Sequence, residues 1–327
     1  MVVRTFVNLF ERNGLSYSLM APTGIAAKRL SAVTGKPAGT IHRLLRCNGS
    51  EWEYGAGRLY PTNAVIVDEC SMVDQELFYR LLSALSHDTI IVLVGDSAQL
   101  PSVGPGSVIR ELMACPELPR VKLTQIFRQS VKGAIVQNSH RINQGEMPLL
   151  EDPRTSTEFK FVRCSEEEKI VSFIVETAAR LKAKDANFQV LSAKYDGIVG
   201  VNNLNDVLRE RLNPLTTQAE WKKGSLLFRE GDRVMVVKND YTLNVYNGDV
   251  GKFLRLTSDD LVVRIYGADG QEEGIVEFTE SDAMEKLRLA YAVTVHKSQG
   301  NEFDTILLPI VKTQRRMLQR NLLYTAV

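Results

Sequence analysis

The apolar positions change period several times along the chain, and each change marks an element. Val2, Val3, Phe6, Val7, Leu9 and Phe10 recur at helical spacing and stop at Asn13-Gly14, a helix-ending pair. Residues 16–20 then read as a buried strand running into Ala-Pro-Thr-Gly, and residues 25–33 as a helix closed by Gly35. The runs 64–67 and 89–94 are short and continuously apolar, the pattern of parallel strands covered on both faces. Between them, residues 72–85 return to helical spacing. Strands alternating with helices predict a doubly wound α/β domain. Residues 46–63 interrupt the alternation with Gly49, Gly55, Gly57, Trp52, Tyr54 and Tyr60, and read either as a small β-hairpin insertion or as a surface loop.

A second α/β unit begins near Val121, with expected strands at 188–192, 287–290 and 305–309 and a helix over 199–212. Inside it the pattern shifts again between 224 and 278. Strand-like runs at 233–238, 251–256, 261–266 and 274–278 alternate with turn signals at Asn247-Gly248, 258–260 and Asp269-Gly270, as in a small SH3-like β-barrel. The expected organisation is a first domain over 1–119 carrying the hairpin at 46–63, and a second over 120–327 carrying the barrel at 220–284.

Composition narrows the function classes. Apolar residues make up 44% and charged residues 24% of 327, ordinary values for a soluble protein. The net charge of +1 means that a nucleic-acid site has to be a local patch, for which Lys28, Arg29, Arg43 and Arg46 are available. Cys47, Cys70, Cys115 and Cys164 form no C-x-x-C pair, which argues against a zinc site or a disulfide framework and for a reducing, cytoplasmic setting. No apolar run has the length of a membrane span.

The candidate chemistry sits at strand ends. Asp68 and Glu69 follow four apolar residues, so both carboxylates lie at the C-terminal edge of a strand, where open α/β sheets bind ligands. One carboxylate there can hold Mg²⁺ while its neighbour activates a water. Gly95 and Asp96 end the next strand, and Gln99 follows in a loop stiffened by Pro101 and Gly104-Pro105-Gly106. The Gln99 amide suits a γ-phosphate sensor, or simply closes a polar loop. Arg128 is either a nucleotide-reaching guanidinium or a structural one. Pro22, Thr23 and Gly24, then Thr40, His42 and Arg43, place hydroxyl and backbone donors at strand-to-helix turns, suited to a phosphate backbone. Thr294 reads as a helix cap followed by His296, Lys297, Ser298 and Gln299.

Five stretches in order, APTGIAAKRL, VIVDECSMVD, IVLVGDSAQLPSVGPG, LTQIFRQS and AVTVHKSQGNEFD, resemble the motor core of a superfamily-one DNA helicase of the RecD type. The stretch GDRVMVVKNDYTLNVYNGDVGK resembles the SH3-like insertion of that family, and 46–63 lies where the family carries a strand-separating pin. The resemblance implies two RecA-like motor domains of the P-loop NTPase type, with ATP and Mg²⁺ as cofactors. It implies Asp68 as metal ligand, Glu69 as catalytic base, and Gln99 and Arg128 at the γ-phosphate. Gly95 and Asp96 would line the nucleotide, and Glu302 would approach the ribose. Residues 22–24, 40–43 and 296–299 would face single-stranded DNA or a duplex junction, with 5′-to-3′ movement, a role in recombination and repair, and RecB/RecC-like subunits as potential partners.

Two features depart from the family pattern. No G-x-x-x-x-G-K-[ST] loop occurs, and RNLLYTAV resembles only the start of the sixth motif. The expectation is therefore a helicase core clipped at both ends, with negligible ATP hydrolysis by these residues alone. The alternative is a non-catalytic DNA-binding or assembly subunit. A conjugative relaxase is disfavoured, because the four histidines lack ligand spacing.

Overall fold

The computed structural model describes residues 2–123, 133–150, 158–258, 260–267 and 272–327. Arg128 and the Asp269-Gly270 turn signal lie outside the described residues. The chain divides into two compact units, Met1–Lys122 and Leu123–Val327.

The first unit is built on a parallel sheet of four strands, in spatial order Ala38–Thr40, Tyr17–Ala21, Ala64–Val67 and Ile90–Leu93. The two-residue side-chain period of a strand sorts its core into two faces. Leu19, Ala64 and Ile66 pack with Val3, Val7 and Phe10 of the helix Val2–Arg12 and with Leu30 of the helix Gly24–Thr34. Met20, Val65 and Val67 pack on the other face with Ile41, Leu77 and Leu81. Leu19, Met20 and Ile66 are essentially inaccessible, each burial stabilising the unit by about 2–3 kcal/mol.

Two local expectations change. The strand Ile90–Leu93 is expected to be covered on both faces, yet Ile90 and Ile91 are 45% and 37% exposed; among the described residues it is the last strand in the sheet order. The helical run at 72–85 divides into a 3₁₀ turn, Cys70–Met72, and a helix Gln75–Ser83 that starts only where Asp74 caps it.

In the 46–63 insertion, Cys47–Asn48 pairs antiparallel with Glu51–Trp52. Arg46 and Arg58 both bond to Glu53, and both guanidiniums lie over the Tyr54 ring. Tyr54 enters the first unit's core, which anchors the insertion.

The second unit has a three-stranded parallel sheet, ordered Ala292–Thr294, Phe188–Ser192 and Thr305–Leu307. The helices Glu167–Ala183 and Val201–Leu212 cover it through Ile174, Ala178, Leu204 and Leu208. A five-stranded antiparallel SH3-like sheet follows the order Glu272–Thr279, Asp260–Tyr266, Val250–Leu256, Arg233–Val236 and Leu287–Leu289. The run 287–290, expected among the motor strands, therefore belongs to the SH3-like part, with Leu289 opposite Val234. The motor strand is Ala292–Thr294. Leu287-Arg288-Leu289 alternates, with Arg288 exposed, whereas Ala292-Val293-Thr294 is buried throughout, so the two neighbouring strands differ in pattern as well as in partner.

A hairpin not expected from the sequence, Glu220–Lys223 with Leu226–Arg229, stacks Trp221 on Phe228 at 5.7 Å inside the SH3-like core. Asp232 fastens the SH3-like part to the motor sheet. It is fully buried and accepts from the Arg229 N–H, Asn213 Nδ2 and the Tyr291 hydroxyl, each at 2.8 Å. Among the described residues, no helix is long and apolar enough to cross a membrane.

Candidate nucleotide and nucleic-acid site

Parallel strands end on the same side, so the first unit's candidate residues fall along one sheet edge. In strand order they are Thr40, the Pro22-Thr23-Gly24 turn, Asp68 with Glu69, and Gly95 with Asp96.

The acidic pair is held by both neighbouring strands. The Asp68 N–H donates to Met20 O at 3.0 Å and the Cys70 N–H to Val94 O at 2.9 Å. Between them Glu69 takes a left-handed backbone, φ 54° and ψ 40°, which non-glycine residues adopt at a cost and which clusters at functional sites. Its N–H donates to Asp68 Oδ1 at 3.0 Å. Burial pushes the Asp68 carboxyl above its ordinary range, opposed by that N–H and by the Arg29 guanidinium. Burial also raises the Cys70 thiol to about 12, so it stays an uncharged packing group. Gly95 is a glycine for want of space, since a Cβ there would sit 3.0 Å from Cys70 N and 3.1 Å from Ser71 N.

The next loop is braced internally. Asp96 Oδ1 accepts from Ala98 N at 2.9 Å, and the Gln99 N–H donates to Asp96 O at 3.2 Å, leaving Gln99 half-buried. Ser102 Oγ donates to both Gly104 O and Gly106 O at 3.0 Å. The loop then returns to the start of the helix Gln75–Ser83, whose Gln75 N–H donates to Pro105 O at 2.9 Å. Asp74, which motif reading passed over, contacts this loop and caps the helix by accepting from Leu77 N at 2.8 Å. An Asp just before a helical run is a cap signal, so the residue was findable even though its loop contact was not.

Asp74 also acts on His42, whose pKa burial lowers and the Asp74 charge raises. The His42 ring lies 5.3 Å from Trp52, and the Arg80 guanidinium lies 5.9 Å from the same indole. Thr23 and Thr40 both cap helices, accepting from Ala26 N at 3.3 Å and Arg43 N at 3.1 Å. Thr40 is buried, His42 half-buried and Arg43 exposed.

In the second unit Thr294 caps the short helix Val295–Ser298 by accepting from Lys297 N at 3.2 Å. His296 and Lys297 are half-buried, and burial lowers the pKa of both. Ser298 is buried and donates to Val295 O at 2.9 Å, and Gln299 is buried as well. Glu302 is exposed. The structure thus separates a surface pair, His296 and Lys297, from an inward pair.

A magnesium nucleotide fits part of this edge. Mg²⁺ takes one or two carboxylates and fills its remaining positions with water and phosphate oxygens, and Asp68 is a desolvated carboxylate that a cation would relieve. Among the described residues no group of three or more His, Cys, Asp or Glu side chains could hold a metal, which rules against a closed structural cage there. The donors that cradle the β- and γ-phosphates belong to a pattern these 327 residues do not contain.

Family comparison agrees across the length of the chain. A profile described as "AAA domain" matches residues 1–166, "ATP-dependent RecD-like DNA helicase SH3 domain" matches 204–266, and "UvrD-like helicase C-terminal domain" matches 289–327. The ATP-dependent RecD2 DNA helicase of Deinococcus radiodurans is 35% identical over 99% of this chain and 43% of its own length. The RecBCD enzyme subunit RecD of Mycolicibacterium smegmatis is 29% identical over 95% of this chain and 59% of its own. The chain spans about half the length of these relatives. A crystal structure of Bacteroides Pif1 bound to ssDNA matches in fold with a TM-score of 0.54 at 21% identity, over 99% of this chain and 83% of that one. A structure of two coordinating Pif1 helicases at forked dsDNA matches equally, at 0.54 and 22%, over 99% and 81%. With the AAA-domain profile over half of its residues and a RecD-like SH3 domain following, the chain belongs to the RecD-like DNA helicases.

Proposed function

We propose that the chain is the motor core of an ATP-driven 5′-to-3′ DNA helicase acting in recombination and repair, with motor domains at 1–119 and 120–327 and an SH3-like insertion at 220–284. The observation that carries this reading is the left-handed Glu69 beside a desolvated Asp68, at the sheet edge shared with Gly95, Asp96 and the Gln99 loop. Bound Mg²⁺ and ATP would supply the phosphoryl group and neutralise its developing charge. Asp68 would hold the metal, and Glu69 is placed to take a proton from the attacking water. Gln99 orients that water through an amide that both donates and accepts. Gly95 and Asp96 line the same edge. Arg128 and Glu302 take the family's roles at the γ-phosphate and ribose.

Single-stranded DNA lies on Pro22, Thr23, Gly24, Thr40, His42 and Arg43 in one unit and on the 296–299 segment in the other. These donors hold sugar–phosphate without reading bases. The RecD2 and RecBCD names among the relatives leave two settings, of which the higher identity favours the RecD2-like one over a complex with RecB/RecC-like subunits.

Without a phosphate cradle, these 327 residues alone bind single strands but turn over ATP negligibly. The test has two arms. An oligo-dT anisotropy titration of the chain should give salt-sensitive binding. In a protein carrying these residues behind a G-x-x-x-x-G-K-[ST] loop, DNA should stimulate ATPase activity, and Glu69→Gln should remove it by about a thousandfold while retaining DNA binding. Full ATPase activity in Glu69→Gln would overturn the assignment, and DNA binding without any ATPase in the loop-bearing protein would favour a non-catalytic subunit.

A further inference from the structure

One contact joins the SH3-like insertion to the helix Val295–Ser298. Lys297 Nζ donates to Asn247 Oδ1 at 2.7 Å, across 50 residues of sequence. Both ends of this bond are fixed. The Asn247 N–H donates to Asn239 Oδ1 at 2.8 Å, and the Gly248 N–H donates to Val236 O at 2.7 Å, with Gly248 in a left-handed conformation at φ 100°. Asp249 Oδ2 closes the turn by accepting from Tyr246 N at 2.9 Å. On the other side, the main chain of Lys297 is held by the Thr294 cap.

The acceptor is a neutral amide, which orients an ammonium without cancelling its charge. An ammonium has three N–H donors, so a bond to Asn247 leaves two for an anion. Holding a long, flexible side chain in place beforehand removes rotamer entropy that a ligand contact would otherwise have to take away. A solvated Lys297 would need no such partner, whereas this one is half-buried and its charged form disfavoured by burial.

We propose that Asn247 is a positioning residue that holds the Lys297 ammonium for a single-stranded DNA phosphate, making the SH3-like turn part of the second unit's nucleic-acid interface. The proposal rests on the DNA-binding reading above and gives a nucleic-acid role to a residue that the sequence marks only as part of a turn in the SH3-like stretch.

The test is a double-mutant cycle on the 327-residue chain, read by oligo-dT anisotropy over a salt titration. Removing one phosphate contact lowers the single-strand salt slope by about 0.7, which at 50 mM salt is about eightfold in affinity. Lys297→Gln should lose that much. Asn247→Ala should lose about threefold through lost preorganisation, and should lose nothing further in the Lys297→Gln background. Asn247→Asp, which keeps the shape of the side chain and the backbone bonds of the turn, should pair with the ammonium and lower the slope as Lys297→Gln does. Asn247→Ala binding like the wild type, or losses that multiply in the double variant, would overturn the positioning role while Lys297→Gln still weakened binding. A Lys297→Gln variant that binds like the wild type would instead overturn the DNA-binding reading of the helix itself, and the positioning role with it.

Discussion

Gly104→Ala should damage the first unit through a residue thirty positions away. A Cβ built on Gly104 lies 2.1 Å from Asp74 Oδ2, 2.8 Å from its Cγ and 3.0 Å from its Cβ, so the carboxylate has to leave. The same carboxylate caps the helix Gln75–Ser83 through Leu77 N. Losing such a cap costs about 1 kcal/mol, and residual crowding adds about 1–3 kcal/mol. Asp74→Ala alone loses the cap, at about 1 kcal/mol, and also removes the atoms that clash. The double variant should therefore be less destabilised than the two single costs combined, by about 1 kcal/mol or more. Urea denaturation of the four proteins measures the coupling, and hydrogen exchange at the Leu77 amide reads the cap directly, with faster exchange expected in both single variants. Wild-type stability in Gly104→Ala, or strictly additive costs, would refute the account. If the reasoning holds, the loop that carries Gln99 is held against the helix start by Asp74, the last residue of the VIVDECSMVD stretch and one given no chemical role there.

Two further outcomes follow from desolvated carboxylates, the half-buried Asp68 and the buried Asp232. The Asp68 carboxyl has its pKa raised in the folded state, so its stability contribution is fully present below the ordinary value of 3.8 and is lost as pH rises through the folded value. Asp68→Asn should accordingly be more stable than wild type at neutral pH, with the gain vanishing in acid; a difference that does not change with pH would contradict the desolvation argument. Asp232→Ala strands three donors in the junction between the SH3-like part and the motor sheet, and should cost about 3 kcal/mol or more, against about 1 kcal/mol for Tyr291→Phe, in chemical denaturation. Equal costs for the two would show that Asp232 is not the hub of that network.

The elements most legible in the sequence were those whose signal is local. Ala64–Val67 is apolar at every position because both faces of a central strand are covered, and the place of Asp68 and Glu69 at its C-terminal end was legible because the apolar run stops there. What stayed hidden depends on partners. Ile90 and Ile91 read as a strand covered on both faces, and only the structure shows them exposed, at the end of the sheet order among the described residues. Leu287–Leu289 and Ala292–Thr294 lie two residues apart, yet one pairs with Arg233–Val236 and the other with Phe188–Ser192, partners that nothing near them in sequence names. Asn247-Gly248 was legible as a turn, but nothing near it in sequence points to Lys297. Residue chemistry was visible wherever it was local, and pairing was not.

The capping threonines show why a structural and a functional reading need not compete. Thr23, Thr40 and Thr294 each follow or end a parallel strand and accept a backbone N–H from the turn that comes next. A hydroxyl carries two acceptor lone pairs and one donor proton, so accepting from the helix fixes the oxygen while its own proton can still donate. A cap therefore converts a rotating hydroxyl into a fixed donor at the start of a helix, where the backbone N–H groups and the helix dipole also favour an anion. Asn247 acts on Lys297 by the same logic, spending an uncharged acceptor to hold a donor in place. On the proposed DNA-binding reading, the bond that stabilises the fold at three strand ends and one lysine would also aim the group at a phosphate.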